Sequence, residues 1–229
     1  DISFAGWALQ ALKAGKMAGL KPDGLNECIR KAVACLRSRN FKGSGFSYIA
    51  KQRNVTGLTA TGCLAMQLLG YGSDMVVAKS LNYMRGWKPT FEAKELGRPG
   101  QKPGSCPQYY CYYATQCKYQ AGMKSGASRD DLTEWQNWNV QMKKKYPSSI
   151  KNLPTKVKDW TGKEHKQGYF ENKDHYGSKH VMDSCLVALQ LMVYYRYLPT
   201  TQTSAAAETG GKEEVPKDAD SGVEVVVDI

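Results

Sequence analysis

Apolar residues recur at every third or fourth position through most of the chain, which is the period of an amphipathic α-helix. The pattern predicts seven helices, over residues 3–18, 24–39, 56–70, 74–86, 107–121, 130–145 and 179–198. Strand-type alternation is nearly absent outside the segment VEVVV at 223–227. The sequence therefore predicts one all-α domain over 1–199, followed by a tail over 200–229.

Residues that favour helix ends agree with these bounds. The predicted starts lie at Asp23, at Asp74 and at Ser105, which forms a capping box with Gln108. The predicted stops are Gly19, Gly70 and Gly122. Glycine is expected at these stops because it readily adopts the left-handed conformation that commonly ends a helix.

An Ala-x-Gln element recurs four times along the chain. The segments ALQAL (8–12), AMQLL (65–69), ATQCK (114–118) and ALQLM (188–192) make Gln10, Gln67, Gln116 and Gln190 equivalent. Helices of a second kind, apolar on one face and basic on the other, lie between them. Two segments, KGSGFSY (42–48) and KQGYFEN (166–172), place an aromatic residue after a glycine, where the ring is expected to fill space between neighbouring helices. Such alternation indicates a stacked helical repeat.

With these helices, these glycine-aromatic segments and the closing ALQLMVYYRYLP, the chain resembles the prenyltransferase and squalene-oxidase repeat proteins. These proteins belong to the terpenoid-cyclase and protein-prenyltransferase-like superfamily, and the chain looks closest to its small bacterial members. The resemblance implies an α/α toroid, in which inner helices line a central cavity and outer helices surround them. The Ala-x-Gln segments would be inner helices. Seven helices make an incomplete ring, so we expect either missing N-terminal hairpins or a homo-oligomer.

The catalytic motifs of this superfamily are not found in the sequence. Where squalene-type cyclases carry an aspartate-rich segment, this chain reads VTGLTATG (55–62), without a carboxylate. Cys111 stands about where the prenyltransferases have a zinc-binding histidine, and no Asp-x-Cys pair accompanies it. We therefore expect no metal and no cofactor. A non-catalytic ligand- or protein-binding module is favoured, and the alternative is an isoprenoid-handling enzyme with an atypical acid.

One candidate site is an aromatic stripe on the predicted helix 107–121. Tyr109, Tyr112, Tyr113 and Gln116 follow the spacing i, i+3, i+4, i+7 and so share one face. With Trp7 they are predicted to line the cavity, where tyrosines suit an elongated apolar ligand or a protein partner. Ordinary packing between the two helix layers is the alternative for this stripe.

A second candidate site lies in the segment ENKDHYGSKHVMD (171–183), before and within the last helix. Asp174 precedes the helix, and His180 and Asp183 lie on one face at i, i+3. In a toroid this segment would rim the cavity, so these three residues are the candidates for acid–base catalysis. Capping of the helix by Asp174 or Ser178 is the alternative.

Charge is distributed unevenly along the chain. Residues 200–229 hold two lysines and seven acidic residues, which gives this segment a net charge of −5. The whole chain has a net charge of +11, so residues 1–199 carry a net charge of +16. The acidic tail is expected to be disordered. The body suits an anionic partner or simply a solvated surface, but no nucleic-acid recognition motif accompanies its lysines, so no specific nucleic acid is expected. The lysine-rich segment 141–167, broken by two prolines, is predicted to be a flexible connector that could reach an anionic surface.

The sequence says little about where the protein resides. No apolar run is long enough to predict a transmembrane segment. A start at Asp1 without Met suggests processing or a trimmed N-terminus, so any export signal would already be gone. A soluble protein is expected, export with removal of the signal is one alternative, and the compartment stays unknown. Seven cysteines cannot all pair within one chain, and several occupy apolar helix positions, so mostly free thiols are expected.

Overall fold

The computed structural model describes residues 1–53, 55–101, 104, 106–172 and 179–195. Most of this part of the chain is helical. The helices are α1 (Ile2–Met17), α2 (Leu25–Cys35), α3 (Thr59–Met66), α4 (Met75–Tyr83), α5 (Ala93–Leu96), α6 (Pro107–Met123), α7 (Arg129–Lys145) and α8 (Lys179–Leu191). Leu36–Asn40 and Gln67–Tyr71 continue α2 and α3 as π-helical turns, and short 3₁₀ turns follow α7 and α8 at Pro147–Ser149 and Met192–Tyr195. The predicted helical class is therefore confirmed, with α5 as an additional short helix.

Two antiparallel strands, β1 (Lys151–Lys158) and β2 (Glu164–Tyr169), form a hairpin after α7. The prediction of a flexible connector over this segment is wrong. Pro147 begins a 3₁₀ turn, and Pro154 lies where the strand register shifts between Asn152 and Lys156. A two-stranded sheet has only edge strands, so a proline at such an irregularity costs little pairing.

Some helix ends follow the predicted signals. Asp74 caps α4, its side chain accepting a hydrogen bond from the Val76 N–H at 2.8 Å. Gly19 and Gly70 have left-handed φ angles of 84° and 92°, as their predicted role at helix ends requires. These three assignments are confirmed.

Other predicted helix ends are wrong. Asp23 does not cap α2, because the residue before that helix is Gly24 and no side chain caps it. Ser105 lies outside the described residues, and Gln108 is buried in the core rather than reaching back to the start of α6. Gly122 lies inside α6, where a Cβ atom would come 2.7 Å from the Trp135 Cβ atom, so this glycine lets α7 approach closely.

The four helices that carry the Ala-x-Gln element pack side by side in chain order. Helix α1 packs on α3, α3 on α6, and α6 on α8. Helices α2, α4 and α7, which are of the second kind, pack on α1, α3 and α6 respectively, so each contacts the helix that it follows. All four equivalent glutamines are buried. The described helices thus form a row with attached partners, and a closed ring is not seen among them.

The core lies between the helices of this row and is closed by aromatic residues from the connecting segments. Phe46 is fully buried against Gly62 of α3, where a Cβ atom would come 2.5 Å from its ring. Phe170 stacks on Phe91 with 5.6 Å between ring centroids. Both glycine-aromatic segments therefore supply packing rings, as the sequence predicts. No helix in the described part of the chain has the length and apolar character needed to cross a membrane.

Candidate functional site

An aromatic cluster lies where α1 meets α6. The Trp7 indole stacks on the Tyr112 ring with 5.8 Å between centroids and meets the Tyr113 ring edge-on at 6.1 Å. Tyr113 also contacts the rings of Tyr109 at 5.0 Å and Tyr112 at 4.8 Å. Ring contacts in these geometries are favourable beyond the area that they bury. The structure thus brings together the four aromatic residues that the sequence assigns to a cavity wall.

The cluster reaches solvent mainly through α1. Trp7 is 45% exposed and Phe4, one turn earlier on α1, is 75% exposed, whereas Tyr112 and Tyr113 are buried against Trp7. Burial raises the pKa of Tyr112 and of Tyr113, so both hydroxyl groups stay protonated at neutral pH. The exposed rings of this cluster are therefore those of Phe4 and Trp7, and the two buried tyrosines carry no charge.

Buried amide groups line the inner side of this cluster. Gln10 accepts a hydrogen bond from the Tyr112 hydroxyl at 3.2 Å, and Gln67 donates to the Cys117 carbonyl oxygen at 3.2 Å. Gln116 is fully buried, and neither its amide nitrogen nor its amide oxygen has a hydrogen-bond partner within the described residues. A buried amide without a partner is costly. The Gln67 amide oxygen and the Thr61 hydroxyl are also buried without a hydrogen-bond partner in the described part of the chain, so Gln116 is one of several unsatisfied polar groups where α3 meets α6.

A second network of buried amide groups, which sequence reasoning missed, lies between α6 and α8. Gln190 donates to the Gln108 side-chain oxygen at 2.9 Å and accepts a hydrogen bond from the Tyr146 hydroxyl. Gln108 in turn donates to the Thr90 carbonyl oxygen at 2.6 Å. The sequence predicts Gln108 as a capping residue from its position near the start of α6. Its actual partner, Gln190, lies 82 positions away, so local sequence could not reveal the contact. This network fixes α8 against the rest of the row.

Asp183, the first of the three catalytic candidates, is buried on α8. Its carboxylate accepts a hydrogen bond from the Asn172 N–H at 2.7 Å. The neighbouring Ser184 hydroxyl accepts from the Phe170 N–H at 2.9 Å. Together the two side chains bind the chain that leaves β2, so the hydrogen bonds give Asp183 an anchoring position.

The other two candidates do not join Asp183 in a site. His180 is exposed, its ring packing against Tyr169 at 4.4 Å between centroids, with Nδ1 3.7 Å from the Glu171 carboxylate. Asp174 lies outside the described residues. The helical spacing places His180 and Asp183 on one side of α8, but the chain at 170–172 covers only Asp183.

The β1–β2 hairpin is a strongly exposed element. Every residue of β1 is exposed, and in β2 exposed positions alternate with half-buried ones. The paired positions include Lys156 with Lys166 and Lys158 with Glu164. A sequence signal for this hairpin existed in TKVKDWTGK (155–163), where β-branched residues alternate with lysine before an Asp-x-x-Gly turn.

The turn of the hairpin is held by one carboxylate. Asp159 Oδ1 accepts hydrogen bonds from the Thr161 N–H at 2.8 Å and from the Lys163 N–H at 3.1 Å, and Oδ2 lies 2.7 Å from His165 Nε2. The hydrogen bonds from Thr161 and from His165 hold the pKa of Asp159 well below its usual range. This turn presents Trp160, which is 96% exposed.

A basic groove of about 640 Å³ lies near the base of the hairpin, between the segment 86–99 and the end of α7. Four cationic side chains line it: Lys88, Arg98, Lys144 and Lys145. Glu95 is the acidic residue of this lining, and it accepts a hydrogen bond from the Thr90 hydroxyl at 2.8 Å. The groove therefore has a net positive charge.

The cysteines are all free thiols. Cys63, Cys111 and Cys117 are buried in the core, and burial raises the pKa of Cys111 to about 12. Such a thiol is a weak nucleophile at neutral pH. The described residues contain no group of three or more His, Cys, Asp or Glu side chains that could hold a metal ion.

Comparisons with known protein families, with curated proteins and with solved structures find no match to this chain. The function must therefore be argued from the geometry of the chain itself.

Proposed function

We propose that the protein is a non-catalytic binding module of the terpenoid-cyclase and prenyltransferase-like type. In this proposal α1, α3, α6 and α8 are the inner helices of an incomplete α/α toroid, and α2, α4 and α7 are outer helices. The adjacency of the four Ala-x-Gln helices in chain order supports it. So does the attachment of each second-type helix to the helix that it follows.

The observation that carries the binding role is the aromatic surface on α1. Phe4 and Trp7 present exposed rings, and the Trp7 ring stacks on the buried ring of Tyr112. Large apolar side chains that cluster at a surface commonly mark an interaction site. The surface suits an elongated apolar ligand, such as an isoprenoid.

Binding of a fluorescent farnesol analogue to the full chain tests this role. Wild-type protein is expected to bind it, and Trp7→Ala to weaken the affinity about tenfold, because the stacked indole is removed. Phe4→Ala changes a ring that is mostly in solvent, so it should weaken binding without disturbing the fold. Val140→Ala removes an exposed apolar side chain from α7 and serves as the matched control. Equal affinity of all four proteins, or no binding by wild type, contradicts the proposal.

Product analysis after incubation with squalene or prenyl diphosphates tests the non-catalytic part. No product is expected. Turnover by wild type that is lost in Asp183→Asn, with the helical circular dichroism spectrum of the variant unchanged, would make the protein an isoprenoid-handling enzyme with Asp183 as its acid.

A further inference from the structure

The hairpin carries a charge pattern that its own residues do not balance. Lys156, Lys158 and Lys166 share one face of the two strands, and Lys156 stands directly opposite Lys166. Like charges in directly opposite positions destabilise a strand pair. An anion from outside the chain would remove this cost.

The acidic residues of the hairpin are already occupied by contacts within it. Glu164 forms an ion pair with Lys156 at 3.2 Å. Asp159 accepts the hydrogen bonds of the turn and faces His165. Lys158, Lys163 and Lys166 form no ion pair within the part of the chain that the structure describes, so their charge faces solvent.

The tip combines these lysines with an exposed aromatic side chain on an ordered turn. Trp160 stands in a turn whose geometry is set by Asp159 and by Gly162, which has a φ of 85°. Lys158 and Lys163 flank it in sequence. Tryptophan prefers the boundary between lipid headgroups and acyl chains, and lysines near it are attracted to anionic headgroups. Because the turn is already ordered, little conformational entropy is lost when the tip binds.

The apolar side chains of the hairpin favour a bilayer over a nucleic acid. Single-stranded nucleic acid is usually held by several aromatic rings in succession. Here Trp160 is the exposed aromatic residue, since Tyr169 packs on His180. The other exposed apolar side chains are the aliphatic Ile150, Leu153 and Val157. Of these, Val157 lies next to the turn that carries Trp160, whereas Ile150 and Leu153 lie towards the base of the hairpin. One tryptophan with a nearby aliphatic side chain and several lysines matches the composition of an interfacial membrane anchor.

We infer that the β1–β2 hairpin is a second binding site, which docks on the anionic surface of a lipid bilayer with Trp160 in the interface. This site is independent of the aromatic surface on α1. The basic groove beside the hairpin adds cationic side chains near the same end of α7.

Sedimentation of the full chain with phosphatidylcholine vesicles, with and without phosphatidylserine, tests the inference. Wild-type protein should bind only the vesicles that contain phosphatidylserine. The double variant K158E/K163E should lower the partition coefficient at least about 30-fold, since each lysine near a charged surface contributes substantially. Trp160→Ala should lower it about tenfold. All three side chains are exposed, so the helical circular dichroism spectrum should not change.

The control is K16E/K79E, which makes the same change in net charge at exposed lysines on α1 and α4. It should bind nearly as well as wild type. An equal loss in this control would reduce the effect to net charge and overturn the inference. Failure of wild type to bind either vesicle, together with hairpin-dependent binding to single-stranded DNA, would overturn it in favour of a nucleic-acid site.

Discussion

Glu134 shows how one side chain can tie three helices together. Its carboxylate accepts a hydrogen bond from Lys118 of α6 at 2.6 Å and one from the Gly86 N–H, just after α4, at 3.3 Å. Lys118, which is buried, also donates to the Met84 carbonyl oxygen at 3.1 Å. Burial by itself raises the pKa of Glu134, but the hydrogen bond and charge of Lys118 outweigh it, so the pKa is lowered.

The variant Glu134→Gln is therefore expected to destabilise the protein at neutral pH by about 3 kcal/mol, because Lys118 loses its charged partner in the core. Because the pKa of Glu134 is lower in the folded protein, its carboxylate is protonated at a higher pH in the unfolded chain than in the folded one. The contribution of Glu134 is thus present above its ordinary pKa of 4.5 and is lost as the pH falls towards the lowered value. Denaturant unfolding of wild type and variant from pH 7 to pH 3 measures this.

Glu27→Gln is the control for this prediction. Glu27 pairs with Arg30 and Lys31 on the exposed surface of α2, where ion pairs contribute little. Its removal should leave the unfolding midpoint nearly unchanged at pH 7. A constant difference between wild type and Glu134→Gln across the whole pH range would contradict the role of the carboxylate charge.

At the scale of one helix, Gly62 sets how closely Phe46 approaches α3. An alanine there would bring its Cβ atom 2.5 Å from the buried ring, so Gly62→Ala should cost about 1–3 kcal/mol through overpacking. Gly72→Ala is the matched control, because a Cβ atom at that position meets nothing within 4 Å and the φ of −62° suits any residue. Thermal or urea unfolding compares the two. An equal change in stability in both variants would show that the general effect of replacing glycine, rather than contact with Phe46, determines the stability of Gly62→Ala.

The hairpin turn offers a second prediction at this scale. Asp159→Ala removes the acceptor for the Thr161 and Lys163 N–H groups, so both amides should exchange hydrogen much faster. The amides of α6 should keep their protection, because the turn does not take part in the core. Hydrogen exchange measured by NMR distinguishes the two regions. Unchanged exchange at Thr161 would show that the strands alone hold the turn.

The elements differ in how far the sequence could predict them. The long helices have a sustained apolar period, so their positions follow from the pattern to within a few residues. The hairpin is harder to predict, because β1 is exposed on both faces and its alternation of β-branched residues with lysine extends over only residues 155–158. The lysines and the two prolines of segment 141–167 therefore favoured the prediction of a flexible connector. The aromatic stripe on α6 was predictable from helical spacing, whereas the Gln108–Gln190 contact needs the packing of α6 on α8, which spacing within one helix does not reveal.

In the whole molecule six of the seven thiols divide into an accessible and a hidden group, and Cys106 is half-buried. Cys28, Cys35 and Cys185 are exposed, while Cys63, Cys111 and Cys117 lie between the helices of the row. A thiol reagent should label the exposed group quickly and the hidden group only as fast as the core opens. Labelling followed by mass spectrometry, with and without urea, measures this. Rapid labelling of Cys117 in the native protein would contradict the close packing of α3 on α6.

The anchoring of β2 to α8 has a mechanical consequence. Side chains of Asp183 and Ser184 hold the chain that leaves the second strand, and α7 leads into the first strand through a short 3₁₀ turn. The hairpin is thus joined directly to α7 at one end and held on α8 by hydrogen bonds at the other. Displacement of Trp160 would therefore also move the chain that is bonded to Asp183 and Ser184, so an event at the tip is coupled to α8.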